Sequence, residues 1–344
     1  MRKLLNTLYV TTPDTYLALD GENVVVLGDE DSPSRQFPLH ILEGIVSFGY
    51  KGASPALMGA CVERGIALTF FSPNGRYLAG VNGKSRGNIL LRKAQYRVSD
   101  DPSGSALIAR SFLVGKVYNS RWVLERALRD HRMRVDEAAL GAASQALTAS
   151  LTPIANCGDL EQLRGLEGEA ATRYFSVFDE LILQNKDAFS FQGRNRRPPL
   201  DNINALLSFT YTLLSSDCAA ALEGVGLDAY VGFLHRDRPG RASLALDLME
   251  ELRSVCADRF VLSLINNRVV SPKGFTKRES GAVVMDDDTR KAVLTAWQNR
   301  KKEELTHPFL EEKIPWGLVP FVQAMLLARH LRGDLDAYPP FLWK

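Results

Sequence analysis

The segment GFLHRDRPGRASLALDLMEELR runs from Gly232 to Arg253 and places one histidine ahead of two acids spaced three apart, Asp247 and Glu250. On a helix, residues three or four apart share a face, so Asp247, Glu250 and Glu251 would crowd their carboxylates together. Like charges at that spacing weaken a helix slightly, so the pattern calls for a compensating positive group. His235 closes the apolar run Tyr230-Val231-Gly232-Phe233-Leu234. A third carboxylate, Glu167 in LRGLEGEAATRYFSVF, shares a helical face with Ala171, Tyr174 and Phe178. A charge on so apolar a face is costly unless it is ion-paired, hydrogen-bonded or bound to metal. One imidazole with three carboxylates makes a hard, oxygen-rich donor set, better suited to Mg²⁺ or Mn²⁺ than to zinc. Such ions support displacement at phosphorus. Plainer readings stand beside this one. His235 could simply be exposed at the end of an element. Asp247 and Glu250 could lie on a solvated face, salt-bridged to Arg241 or Arg253. Glu167 could pair with an arginine from another helix.

Three loops concentrate positive charge. FQGRNRRPP (191–199) carries Arg194, Arg196 and Arg197; RDRPGR (236–241) carries Arg236, Arg238 and Arg241; VVSPKGFTKRESGAV (269–283) carries Lys273, Lys277 and Arg278. Any one of them suits an ordinary solvated surface. Together, near a divalent-metal site, they suit contacts to a nucleic-acid backbone. Tyr174 and Tyr211 lie on candidate helices nearby, either as core residues with bonded hydroxyls or as contacts to DNA ends.

The elements that must position these groups fall into two parts. LLNTLYV, TYLALD, NVVVLGD and RQFPLHILEGIVSFG read as short strands separated by the turn formers Pro13-Asp14, Gly21-Glu22 and 29–33. Ser54 can cap a helix over PALMGACVERG, and IALTFFSPNGRYLAGV reads as two strands around Pro73-Asn74-Gly75. From about residue 88 the periodicity turns helical, through stretches such as SALIARSFLVGKVYNSRWVLERALRDH, EAALGAASQALTASL, DNINALLSFTYTLLSSDCAAALEGVG and TRKAVLTAWQNRKKEEL. The expectation is an α+β chain: a β-rich N-terminal domain over 1–86, followed by a larger, all-helical C-terminal domain over 87–344. A length of 344 residues with 45% hydrophobic content supports two cores, and a net charge of +2 does not by itself mark a nucleic-acid binder. The four cysteines are far apart, without a C-x-x-C pair, and read as buried thiols in a reducing compartment. No apolar run approaches 18 residues and no signal-peptide core opens the chain, so the expected location is the cytoplasm, with no membrane partner.

With these residues in view, the phrases LRGLEGEAATRYF, DNINALLSFTYTLL and GFLHRDRPGRASLALDLMEELR, in that order, resemble the signature blocks of the CRISPR-associated spacer integrases, the Cas-one family. GFTKRESGAVVMDDDTRKAVLTAWQNRKKEE is similar to the tail of the branch found beside type I-C systems. The resemblance implies a β-rich N-terminal domain that forms a homodimer and a helical domain that binds metal and DNA. It implies a metal site of Glu167, His235 and an acid of the pair Asp247/Glu250. In many members both of that pair are aspartates; here Glu250 is favoured as the ligand and Asp247 as the neighbour that orients water or substrate. It implies Mg²⁺ or Mn²⁺, a small partner adaptation protein (Cas-two type), and double-stranded DNA both as captured spacer precursor and as CRISPR repeat. The implied reaction joins 3′-hydroxyl ends to the repeat by transesterification, with hydrolysis of branched DNA as a side activity. A stand-alone branched-DNA repair nuclease and a non-catalytic DNA-binding scaffold use the same residues and remain alternatives. A small-molecule phosphoesterase fits the basic loops less well.

Overall fold

The computed structural model describes residues 6–12, 14–28, 34–73, 77–81, 83 and 89–344. The turns expected at Pro13, 29–33 and 74–75, and the expected domain boundary at 86/87, lie outside the described residues. The chain resolves into two compact units, 1–86 with 285–303, and 87–284 with 304–344.

The first unit contains two sheets. β1 (Thr7–Val10), β5 (Gly44–Phe48), β6 (Ala67–Phe71) and β7 (Tyr77–Val81) form one, in the order β1-β5-β6-β7. β1 and β6 pair parallel to β5, while β7 pairs antiparallel to β6. β2 (Tyr16–Asp20), β3 (Asn23–Leu27) and β4 (Arg35–Pro38) form an antiparallel meander. RQFPLHILEGIVSFG is therefore two strands of different sheets: a 3₁₀ turn at Leu39–Ile41 interrupts the apolar run. α1 (Pro55–Arg64) starts where expected, because Ser54 Oγ accepts from the Leu57 N–H, and it ends where Gly65 takes a left-handed conformation. Leu57 and Cys61 of α1 pack with Leu17, Val24, Ile45 and Leu68 in a core contributed by both sheets. The same unit includes α9 (Asp287–Lys302), capped by Asp286.

The second unit is mainly helical: α2 (Ile89–Asp100), α3 (Pro102–His131), α4 (Glu137–Asn156), α5 (Leu160–Ser176), α6 (Asn202–Gly224), α7 (Ser243–Leu252), α8 (Arg259–Asn266) and α10 (Val319–Leu331). Two three-residue ribbons, β8 (Phe275–Lys277) with β9 (Val283–Met285) and β10 (Glu304–Thr306) with β11 (Lys313–Pro315), lie among the helices. Strands that short leave no alternation to read. α3 is the central post; it packs on α4, α5 and α7, and Asp101 caps its first turn. Between α7 and α8 the six residues Arg253–Asp258 run as a π-helix. α10 buries most of its length and so lacks a polar face that would reveal a helical period. α6 is long and apolar enough to cross a membrane by length and composition, although polar residues interrupt its apolar runs. Its leucines, with Ala205 and Ala221, are buried, and it packs on α7 and α10. All four cysteines are buried, and none forms a disulfide.

Candidate active site

In the second unit Glu167 and Glu250 come together around a side chain that no motif marked, and His235 adjoins Glu250. Lys116, from the middle of α3, is buried, and its Nζ donates to Glu167 Oε1 while lying 2.6 Å from Glu250 Oε2. Glu250 also receives Arg253 Nη2 at 2.7 Å on its other oxygen. His235 Nε2 stands 3.9 Å from that same oxygen, Oε1. Burial works against the charge on Glu250, but Arg253, then Lys116 and His235, outweigh it and hold its pKa well below the usual carboxylate value. The compensating positive charge anticipated from the acid spacing is thus present, as Lys116 and Arg253.

Asp247 differs from expectation. It is fully buried. Its carboxylate accepts the backbone N–H groups of Phe233, Leu234 and His235 at 2.6, 2.9 and 2.9 Å, and His235 Nδ1 at 2.6 Å. A carboxylate fully occupied by four donors is not available as a metal ligand; it shapes the loop and orients the imidazole instead. Close approach makes this possible at Gly232, where a Cβ would lie 2.9 Å from Asp247 Oδ2 and 2.9 Å from Ser243 Cβ.

The loop before His235 is anchored from two other helices. Gln95 of α2 donates to the carbonyls of Asp228 and Val231 and accepts the Asp228 N–H; Ser99 donates to the Gly232 carbonyl. Arg164 of α5 donates through Nε to the Leu234 carbonyl at 2.8 Å, three residues before Glu167 on the same helix. These positioning residues lie within amphipathic patterns that carry no local signature. Glu251, beside Glu250, turns away to Tyr338, Gln323 Nε2 and the Phe341 N–H, all neutral donors. Burial dominates there and pushes its pKa up to about 7.

A cavity of about 610 Å³ opens beside Lys116 and Glu167, walled mainly by apolar groups including Tyr174, Phe175 and Phe191. Tyr174 is buried in the cavity wall, and Tyr211 is half-buried. Tyr211 donates to the buried Asp258 at 2.5 Å, and its ring lies between the guanidiniums of Arg194 and Arg253, at 5.1 and 5.0 Å.

Of the basic residues, Arg194 is turned inward. It donates to Asn204 Oδ1 at 2.6 Å and Ser208 Oγ at 3.1 Å, and burial lowers its pKa. Its donors are used within the fold, unlike those expected of a backbone contact. Arg196, Arg197, Arg236, Arg238, Lys273, Lys277 and Arg278 are exposed. Arg236 pairs with Glu161 at 2.8 Å. Arg241 is half-buried; desolvation lowers its pKa, and the nearby charges of Arg238, Arg196 and Arg197 add to that. The 269–283 ribbon joins the first loop through Val283 N–H to the Pro199 carbonyl at 2.9 Å. The three loops therefore converge.

For a hard cation, the donor chemistry fits: two carboxylates contact one common cationic nitrogen, and an imidazole nitrogen adjoins Glu250. Among the described residues no three His, Cys, Asp or Glu side chains are already closed to ligating distances. The Lys116 ammonium occupies the point between Glu167 and Glu250.

Comparison with known proteins follows the same lines. Residues 8–299 match the family described as CRISPR associated protein Cas1. The chain is 52% identical over 344 residues to a CRISPR-associated endonuclease Cas1 of Chlorobaculum tepidum, and 54% identical over 348 residues to one of Rhodospirillum rubrum, covering 100% of each pair. A casposase bound to integration product shares the fold at TM-score 0.83, with 22% identity over 98% of this chain and 94% of that one. A Cas1 protein from Thermotoga maritima does so at 0.80, with 21% identity over 95% and 97%. The Cas1-containing chain of a Cas6-RT-Cas1–Cas2 complex does so at 0.80, with 23% identity over 98% of this chain and 36% of that one.

Proposed function

The chain belongs to the Cas1 family of CRISPR-associated endonucleases, and from that premise we propose that it is a divalent-metal-dependent integrase of CRISPR adaptation. In this reading the 3′-hydroxyl ends of captured double-stranded DNA attack the CRISPR repeat, and one phosphodiester forms as another breaks. One observation carries the reading: Glu167 and Glu250 meet at a single cation-sized point, with His235 Nε2 adjoining.

Mg²⁺ or Mn²⁺ held by Glu167, His235 and Glu250 would supply Lewis-acid stabilisation of the charge that develops at phosphorus and on the leaving 3′-oxygen. The chain's own residues do the rest. Asp247 accepts from His235 Nδ1, which leaves the Nε2 lone pair directed at the site. Arg253 holds Glu250 ionised. The cavity beside Glu167 has the apolar, aromatic lining that an unstacked strand end requires. Arg196, Arg197, Arg238, Arg241, Lys273, Lys277 and Arg278 track the phosphate backbone without reading sequence. The structural likeness to the Cas1-containing complex supports the small Cas2-type protein as partner, and homodimerisation through the β-rich unit is part of the same proposal. So are a cytoplasmic location and membership of the branch beside type I-C systems, which rests on the 274–304 segment.

An integration assay tests the reading: a 3′-hydroxyl duplex and a supercoiled plasmid bearing the repeat, with Mg²⁺ or Mn²⁺, with and without the partner protein. Joining is expected with the wild type and lost in His235→Ala while duplex binding persists. Cutting without joining under all conditions would favour the stand-alone nuclease. Joining at the normal rate by His235→Ala would overturn the assignment.

A further inference from the structure

We propose that Lys116 is a built-in counter-cation that a divalent metal must displace, so that the site accepts metal tightly only once DNA phosphate is present. The inference rests on the metal site of the preceding section and concerns what precedes its loading.

The argument is one of charge and geometry. Lys116 is 9% exposed, and its ammonium touches both proposed carboxylate ligands at once. Arg253 touches one of them as well. Asp247 is already matched by three backbone N–H groups and the His235 ring. The inner set of Glu167, Glu250, Lys116 and Arg253 is therefore neutral without any metal. A divalent ion added to it leaves two uncompensated positive charges in a half-buried pocket, which is costly. It also competes for the same oxygens that the ammonium holds. A DNA phosphate entering with the metal supplies negative charge where the excess arises. It also offers the released ammonium a new partner beside the cavity that Lys116 lines. Metal and DNA are thereby coupled, each raising the affinity for the other by the same factor. A free chain is held in a form that does not hydrolyse DNA it has not yet bound.

The test is Mn²⁺ binding to the full-length chain without DNA, read by the electron paramagnetic resonance of free Mn²⁺, alongside the Mn²⁺-induced rise in melting temperature. Lys116→Met is expected to bind Mn²⁺ at least ~10-fold tighter than wild type, because the competing charge is gone and two carboxylates need a cation. Its melting temperature should fall in EDTA and recover with Mn²⁺ by more than the wild type gains. Adding duplex should tighten Mn²⁺ binding in the wild type more than in the variant. Lys116→Gln, which keeps a hydrogen-bond donor, repeats the test should the methionine variant be poorly folded. Equal or weaker Mn²⁺ binding by both variants overturns the proposal. Glu167→Gln and His235→Ala separate this failure from failure of the metal site: if neither weakens Mn²⁺ binding, the site itself has been misassigned. If both weaken it and the Lys116 variants show no gain, only the counter-cation role falls.

Discussion

His235 Nδ1 lies 2.6 Å from Asp247 Oδ1, and the carboxylate that holds the ring also holds the three backbone N–H groups of the loop bearing it. A carboxylate can only accept, so the pair fixes the ring's tautomer as well as its orientation. Asp247→Asn keeps the size but turns an –NH₂ towards N–H donors. Metal affinity and DNA cleavage are expected to drop by about 10–100-fold, with duplex binding unchanged. Mn²⁺ titration and a cleavage assay on the same samples check this; normal metal affinity in the variant would show that the pair is not needed to aim the ring.

Gly232→Ala reaches the same pair from the backbone side. The new methyl would stand 2.9 Å from both Asp247 Oδ2 and Ser243 Cβ, so either the loop or the start of α7 must move. A destabilisation of about 1–3 kcal/mol is expected from such overpacking, with cleavage lost as in Asp247→Asn. Urea unfolding with a parallel cleavage assay reads both effects.

The basic loops divide into two classes of mutation. Arg196→Ala with Arg197→Ala, both exposed, should weaken duplex binding across sequences and reduce the slope of log K against log salt by about two. Arg194→Ala should instead cost stability, about 1–3 kcal/mol, because Asn204, Ser208 and the Tyr211 ring all lose a partner. Salt-dependent binding isotherms and melting curves separate the two; an Arg194→Ala protein of normal stability but shallow salt slope would reverse the division.

Asp258 gives the fold a pH dependence with a definite sign. Burial pushes its pKa from 3.8 up to about 6, against the lowering effects of Tyr211, Arg253, Tyr174 and Arg194, which face it from α6, the π-helix, α5 and the 191–199 loop. The folded chain therefore holds this proton more tightly than the unfolded one. Stability falls as pH rises from about 4 to about 6, then stays level, a contribution on the order of 2–3 kcal/mol. Asp258→Asn should reduce the fall across that stretch and leave the part due to Glu251, whose pKa of about 7 has the same sign of effect. Urea midpoints at pH 4.5 and 7.5 for both proteins are the measurement; parallel profiles would show that Asp258 is not the source.

How far the site could be read from sequence depended on whether a side chain's role was set locally. The β-rich start and the Ser54 cap follow from alternation and turn chemistry over a few residues, and the structure agrees. Glu167 stands out because a charge on an apolar face needs a partner, and Glu250 because acids three apart call for positive compensation, and one partner meets both needs. Its identity was not legible. Lys116 lies in the middle of a 30-residue helix whose buried positions include Val117, Asn119 and Ser120, and only the packing of α3 on α5 and α7 makes it a shared counter-ion. Spacing alone does not separate Asp247 from Glu250, which only the family resemblance favours as the ligand, and in the fold one faces backbone amides and the other faces cations. Arg194 looked like its neighbours Arg196 and Arg197, but the turn made by Asn195 and Asn204 folds it inward.

The π-helix at Arg253–Asp258 sets the phase of everything after it. A wider turn takes up one more residue than an α-helical one, and each residue of an ordinary helix advances the azimuth by about 100°. The extra residue is thus absorbed in the wide turn, and α8 keeps the azimuth that holds Phe260, Leu264 and Ile265 in the interior. The same wide turn carries Arg253 at its start to Glu250 and Asp258 at its end to Tyr211, so one local change of helical pitch serves both the proposed metal ligand and the buried carboxylate.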